Sequence, residues 1–222
     1  MKEMSSSMPI QHFTHIHPLT KVDGYGWFTC NGCNTYGFGT TYRCVSCDYD
    51  LHDHCATCPP TLFSFMHPQH ELQRVFRGPE GQQNRRMCDI CDESIEGLYY
   101  HCEPCGFDIH PLCTRLPQHV RHVPHPAHYL ELSHSGASNT CVVCRGRIQS
   151  WRYKCGPCRV DVHMECVTSS ASRGPATQQI CYYIYQGQGQ QLSPSMGRRT
   201  FAILMTLTVG VVCNLISGGL VG

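Results

Sequence analysis

The 222 residues carry 18 cysteines and 15 histidines, a formal net charge of +1 and only 15% charged residues. That balance excludes a markedly basic nucleic-acid-binding domain. Cysteine at this density points instead to short segments stapled by metal or disulfide, since units of about 50 residues bury little apolar surface.

The chain opens with a leader, 1–11, expected to be flexible, whose start has no apolar h-region and does not read as a secretory signal peptide. A reducing cytosolic or nuclear setting is the expectation. There Cys-x2-Cys pairs bind metal more often than they form disulfides.

Module one, 12–62, begins HFTHIHPL, with His12, His15 and His17, and continues to Cys30, Cys33, Cys44, Cys47, His52 and Cys55. Module two, 63–120, carries His67 and His70, then Cys88, Cys91, Cys102, Cys105, His110 and Cys113. Module three, 121–170, carries His125 and His128, then Cys141, Cys144, Cys155, Cys158, His163 and Cys166. All three share the spacing Cys-x2-Cys-x10-Cys-x2-Cys-x4-His-x2-Cys, so the chain is an internal repeat.

Between the ligand-type residues the segments YGFGTTYR, IEGLYYH and IQSWRYK are short and β-like, each with a tyrosine two before the third cysteine (Tyr42, Tyr100, Tyr153). Alternation before the late histidine puts Leu51, Ile109 and Val162 in a small core. It puts Asp50, Asp108 and Asp161 on the opposite, solvated face, with a role behind a ligand histidine as the other reading. One short helix is expected at each His-x2-Cys.

Residues 171–199 are Gly/Gln/Ser-rich and read as a flexible linker. Ile180–Tyr185, ICYYIY, interrupts it as either a strand added to module three or a segment resting on a membrane. The final stretch, 200–222, contains no charged residue from Phe201 to Gly222 and follows Arg198-Arg199. About 20 apolar residues span a bilayer as a helix, so a single-pass tail anchor is expected, with the modules facing the cytosol. Cytoplasm or nucleus is the alternative.

Structural zinc takes four tetrahedral sulfur or nitrogen donors. Six donors per module exceed one tetrahedron, and the upstream histidines raise the supply to eight in modules two and three, with a third histidine, His12, in module one. Two zinc ions per module, up to six in all, are therefore expected.

This pattern resembles the C-one domain, the diacylglycerol- and phorbol-ester-binding zinc module of protein kinase C. It is more closely similar to the plant divergent C-one cysteine/histidine-rich family. The resemblance covers residues 12–166. It implies small zinc-stabilised α+β modules of short hairpins plus a short helix, three in tandem, before the linker and transmembrane helix. It also implies a cross-braced ligand pattern. One site per module takes Cys30, Cys33, His52 and Cys55; Cys88, Cys91, His110 and Cys113; or Cys141, Cys144, His163 and Cys166. The other takes His17, Cys44 and Cys47; His70, Cys102 and Cys105; or His128, Cys155 and Cys158.

The kinase-type domain has a further cysteine where Phe63, Arg121 and Gly174 stand here, leaving the second site one donor short. The extra upstream histidine is the proposed replacement: His15 or His12, His67 and His125, with Cys58 as an alternative in module one. The ten residues between the second and third cysteines are fewer than in the lipid-binding domains, and the Gly-Gln-Gly chemistry of their groove is missing. Trp27, Phe38 and Trp151 are read as core or strand partners, with lipid contact as the other reading.

The leading functional expectation is a zinc-binding, membrane-tethered adaptor that presents surfaces to protein partners in signalling. Recognition of diacylglycerol or anionic phospholipid is the alternative. No Ser/His/Asp arrangement or phosphate loop is present, and every Cys-x2-Cys pair sits in a repeated ligand set, so no enzyme is expected. Nucleic acid is not an expected partner. Arg145, Arg147, Arg152, Lys154 and Arg159 read as a solvated basic face or one turned to anionic headgroups. His54, His101, His119 and His134 read as surface residues.

Overall fold

The computed structural model describes residues 8–78, 85–122 and 125–169. Module one and most of module two form one compact unit, and Ile90–Asp92 with the chain from Arg115 onward form a second.

Module one begins with a bridge between Ile10 and Leu19, closed by two backbone hydrogen bonds of 2.9 and 2.8 Å. A three-stranded antiparallel sheet follows, ordered β1 (Thr20–Val22), β4 (Thr41–Arg43), β5 (Asp50–His52). A separate hairpin pairs β2 (Trp27–Thr29) with β3 (Tyr36–Phe38). Helix α1, Asp53–Thr57, closes the module and stops before Pro59-Pro60, which cannot continue a helix.

Modules two and three replace this with four-stranded antiparallel sheets. In module two the order is β6 (Thr61–Ser64), β7 (His67–Phe76), β8 (Leu98–Cys102), β9 (Phe107–Ile109). In module three it is β10 (His119–His122), β11 (His125–Ser133), β12 (Arg152–Cys155), β13 (Val160–His163). Helix α2, Met164–Ser169, follows β13, whereas module two has only a 3-10 turn, Cys113–Arg115, ahead of Pro117.

Each core is small and lies beside the ligand residues. Leu51, Ile109 and Val162 are buried, as the alternation predicts, together with Leu19, Leu72, Leu98, Leu130 and Leu132. Tyr100 and Tyr153 are fully buried, and each hydroxyl donates at 2.8 Å to a proline carbonyl, Pro59 or Pro117, in the turn that leads into its module. A buried tyrosine requires such a partner, and burial pushes both phenols up.

Modules one and two meet through the turn after Cys30. The Leu98 N–H donates to the Gly32 carbonyl at 2.6 Å, and Asn34 Nδ2 donates to Glu96 at 2.5 Å. Arg74 reinforces the joint, donating to the Cys58 carbonyl at 2.5 Å and lying 4.0 Å over the Phe13 ring.

Three expectations are corrected. Asp50, Asp108 and Asp161 are buried, not solvated, because the turn after the first cysteine covers that face too. Arg43 pairs with Asp50 at 3.1 Å, Arg86 and His101 with Asp108 at 2.7 Å each, and the Ser138 N–H donates to Asp161 at 2.5 Å. The five basic residues of module three do not form one face, since Arg152 is buried and donates to the Ser138 carbonyl, while Lys154 lies 3.9 Å from Glu131. The membrane placement also fails: among the described residues no helix is long and apolar enough to cross a bilayer. The linker 171–199, Ile180–Tyr185 and 200–222, on which that expectation rested, lie outside the described residues.

Candidate metal centres

Within each module the donors arrive along the chain in alternation. Upstream histidines serve one cluster, the first cysteine pair the other, the second pair the first cluster, and the late His-x2-Cys the other again. The sheet and the final turn bring each set to a point.

The first kind of cluster gathers Cys30, Cys33, His52 and Cys55 in module one, all buried, and Cys88, Cys91, His110 and Cys113 in module two. His52 Nδ1 lies 3.4 Å from Cys33 Sγ and 3.7 Å from Cys55 Sγ. Cys88 Sγ is 3.7 Å from Cys113 Sγ, which is 3.9 Å from His110 Nδ1. In module three His163 Nδ1 is 3.2 Å from Cys144 Sγ and 3.8 Å from Cys166 Sγ, while the His163 N–H donates to Cys141 Sγ at 3.4 Å.

The second kind gathers His15, His17, Cys44 and Cys47; His67, His70, Cys102 and Cys105; and His125, His128, Cys155 and Cys158, with donor atoms all within 4.8 Å of one another in each set. Here Nδ1 of His17, His70 and His128 lies 3.2, 3.1 and 3.2 Å from Cys47, Cys105 and Cys158 Sγ. Between the two residues proposed for module one, the structure brings His15 into the set. His12 stays outside it, buried, with Nδ1 2.6 Å from Thr14 Oγ1. Cys58 is also outside, its thiol donating to the Cys55 carbonyl at 3.1 Å.

These sets fit zinc. Bonds of 2.0–2.3 Å in a tetrahedron separate sulfur from nitrogen by about 3.6 Å and sulfur from sulfur by about 3.8 Å, and the separations above lie within about 0.5 Å of these. Nε2 of His15, His67 and His125 is buried in all three modules with no hydrogen-bond partner, as is Nε2 of His12, and the shared donor sets separate His15 from it. A buried imidazole nitrogen without a partner is costly, and a metal bond at the fourth vertex removes that cost. The His15 ring stacks on Tyr49 at 4.0 Å and His67 on Phe107 at 4.6 Å, which fixes each ring plane.

The late histidine is held from behind. Nε2 of His52, His110 and His163 lies 2.9, 3.3 and 3.0 Å from the carbonyls of Tyr36, Ser94 and Arg147. That contact places the proton on Nε2 and leaves Nδ1 for the metal. The acceptor stands six residues after the first cysteine in every module, but as a backbone group among differing side chains it leaves no residue-type signal in the sequence.

At Cys141 the thiolate is favoured. Burial pushes the Cys141 thiol up, but N–H groups of Cys144, His163 and Val143 outweigh it and bring the group to about 7. At His52 burial disfavours the charged ring, and the Cys30 and Cys33 sulfurs override it, holding the imidazole well above its ordinary value.

A family model of the C1 domain matches residues 13–56, 65–114 and 124–167. The chain belongs to the C1 domain family. C1 domains bind two zinc ions each, and the clusters of this chain supply the donors for them. The chain is similar to rat (Rattus norvegicus) diacylglycerol kinase theta, 25% identical over 160 residues, which are 63% of this chain and 17% of that relative. No solved structure matches. In these C1 modules zinc supplies the cross-links, while the strands set the donor spacing and Tyr36, Ser94 and Arg147 orient the histidines.

Proposed function

We propose that the chain is a non-catalytic, zinc-braced binding scaffold whose C1 modules present surfaces to protein partners in signalling. Its carrying observation is that, among the described residues, metal sets in all three modules close with four protein donors, which leaves no position there for a substrate or an activated water. Metal is then architecture, and recognition falls to the exposed turns. Proximity labelling with the full chain is the test. Partners that vanish when exposed turn residues are changed, with the zinc count unaltered, support the scaffold; partners unaffected by every such change oppose it.

One observation favours a second reading, recognition of diacylglycerol-containing vesicles. At the open end of the β2–β3 hairpin Tyr25, Trp27 and Phe38 are 40%, 46% and 43% exposed, with the Trp27 and Phe38 rings 5.0 Å apart. The relative named a diacylglycerol kinase is consistent with it. Against it stands the ten-residue interval between Cys33 and Cys44. Sedimentation with phosphatidylserine vesicles, with and without diacylglycerol, decides. Binding that needs diacylglycerol and is lost in Trp27→Ala/Phe38→Ala establishes the lipid reading.

A further inference from the structure

The joint between modules one and two has two halves, and each half recurs elsewhere without its mate among the described residues. One half is the turn Cys30–Asn34, which offers the Gly32 carbonyl and the Asn34 side chain. The other is Glu96-Gly97-Leu98, with Gly97 at φ +90° and its carbonyl accepting from the Arg77 N–H at 3.0 Å.

Module one carries the second half again as Phe38-Gly39-Thr40, at the same distance from its cysteines. Gly39 has φ +89°, and its carbonyl accepts from the Tyr25 N–H at 3.0 Å. Where a Cβ on Gly97 would collide with the Gly32 carbonyl, the space beside Gly39 is open. Phe38 and Trp27 stay 43% and 46% exposed around it. The carboxylate that Glu96 supplies in module two has a counterpart in Asp23, which is exposed and accepts from Thr40 Oγ1 at 2.8 Å.

Module three carries the first half again as Cys141–Arg145. The turn is the same, with the Arg145 N–H donating to the Cys141 carbonyl at 2.9 Å as Asn34 does to Cys30 at 2.8 Å. Its surface differs. Asn31 and Asp89 use their side chains to accept the N–H groups of Asp50 and Asp108. Val142 takes that place in module three and is 40% exposed, with Val143 at 39%. Asn34, Asp92 and Arg145 have φ of 55°, 56° and 63°. Asn and Asp tolerate this left-handed region, whereas a long side chain there costs about 1–2 kcal/mol. Module three thus gives up a hydrogen bond and accepts backbone strain to present two valines and a cation.

We propose that this turn docks on Phe38-Gly39-Thr40 of a second copy of the chain, repeating between molecules the joint that holds modules one and two. The Thr40 N–H donates to the Val143 carbonyl, Val142 and Val143 cover Phe38 and Trp27, and Arg145 pairs with Asp23. Because the two halves are different surfaces, the association is head-to-tail and grows into rings or filaments rather than stopping at a two-fold dimer.

Analytical ultracentrifugation of the zinc-loaded full chain across a concentration series tests this. Reversible assembly beyond a dimer is expected, with Gly39→Val and Arg145→Glu each weakening it about tenfold or more. Asp23→Arg combined with Arg145→Glu should restore it. Zinc counts equal to wild type show that the variants are folded. A monomer at every concentration, a two-fold dimer, or assembly indifferent to both substitutions overturns the proposal; vesicle binding by that monomer would assign the aromatic end to lipid instead.

Discussion

Leu98 donates its backbone N–H to the Gly32 carbonyl at 2.6 Å, and Gly97 beside it leaves no room for a side chain on that approach. Gly97→Val should therefore open the joint between modules one and two. A β-branched residue at φ +90° is strained by about 1–2 kcal/mol, and the lost hydrogen bond adds about 1 kcal/mol. Amide hydrogen exchange at Leu98 should then be faster, with zinc content unchanged. Equal exchange rates would show that the modules are held together elsewhere.

His67→Ala and His125→Ala should each remove one zinc ion from their module, because each deletes the fourth donor of a set. In module one His15→Ala should do the same, whereas His12→Ala and Cys58→Ala should leave the count unchanged, since neither belongs to a donor set. Native mass spectrometry of the intact chain reads these numbers directly. A loss caused by His12→Ala and not by His15→Ala would reverse the assignment.

Stripping the metal should unfold all three modules. Structural zinc contributes about 10–16 kcal/mol to comparable small domains, more than their small cores can replace. Circular dichroism under a strong chelator should show the strand signal collapse and return with added zinc. A fold that survives chelation would show that the cores suffice.

Acid should weaken zinc uptake at the first cluster of module three. Since the fold lowers the Cys141 pKa from 9.0 to about 7, the stabilisation is complete above the unfolded value and fades as pH falls through the folded one. Competition against a chromogenic zinc chelator should show this loss below about pH 7. Uptake that stays level from about pH 8 to 6 would contradict the shift.

Much of this was readable beforehand. Cysteine and histidine spacing marks the sets because two intervening residues turn both thiolates inward, and alternation places Leu51, Ile109 and Val162. The same alternation misplaces Asp50, Asp108 and Asp161, since period two separates the faces of a strand without saying that both are covered. Asn31 and Asp89, one residue after the first cysteine, were the available hint, as they accept the aspartate N–H groups. Gly97 was harder: the sequence shows a glycine, and only the fold shows the carbonyl it must admit.

The alternating order of donors links the fates of the two ions in each module. His17 and Cys47 bracket Cys30, and Cys30 and Cys55 in turn bracket Cys44, so the two closed rings of chain overlap. Whichever ion arrives first shortens the loop that the second must close. The first ion therefore eases the second into the same module, so that scarcity of zinc lowers the number of finished modules before it thins the metal across all three.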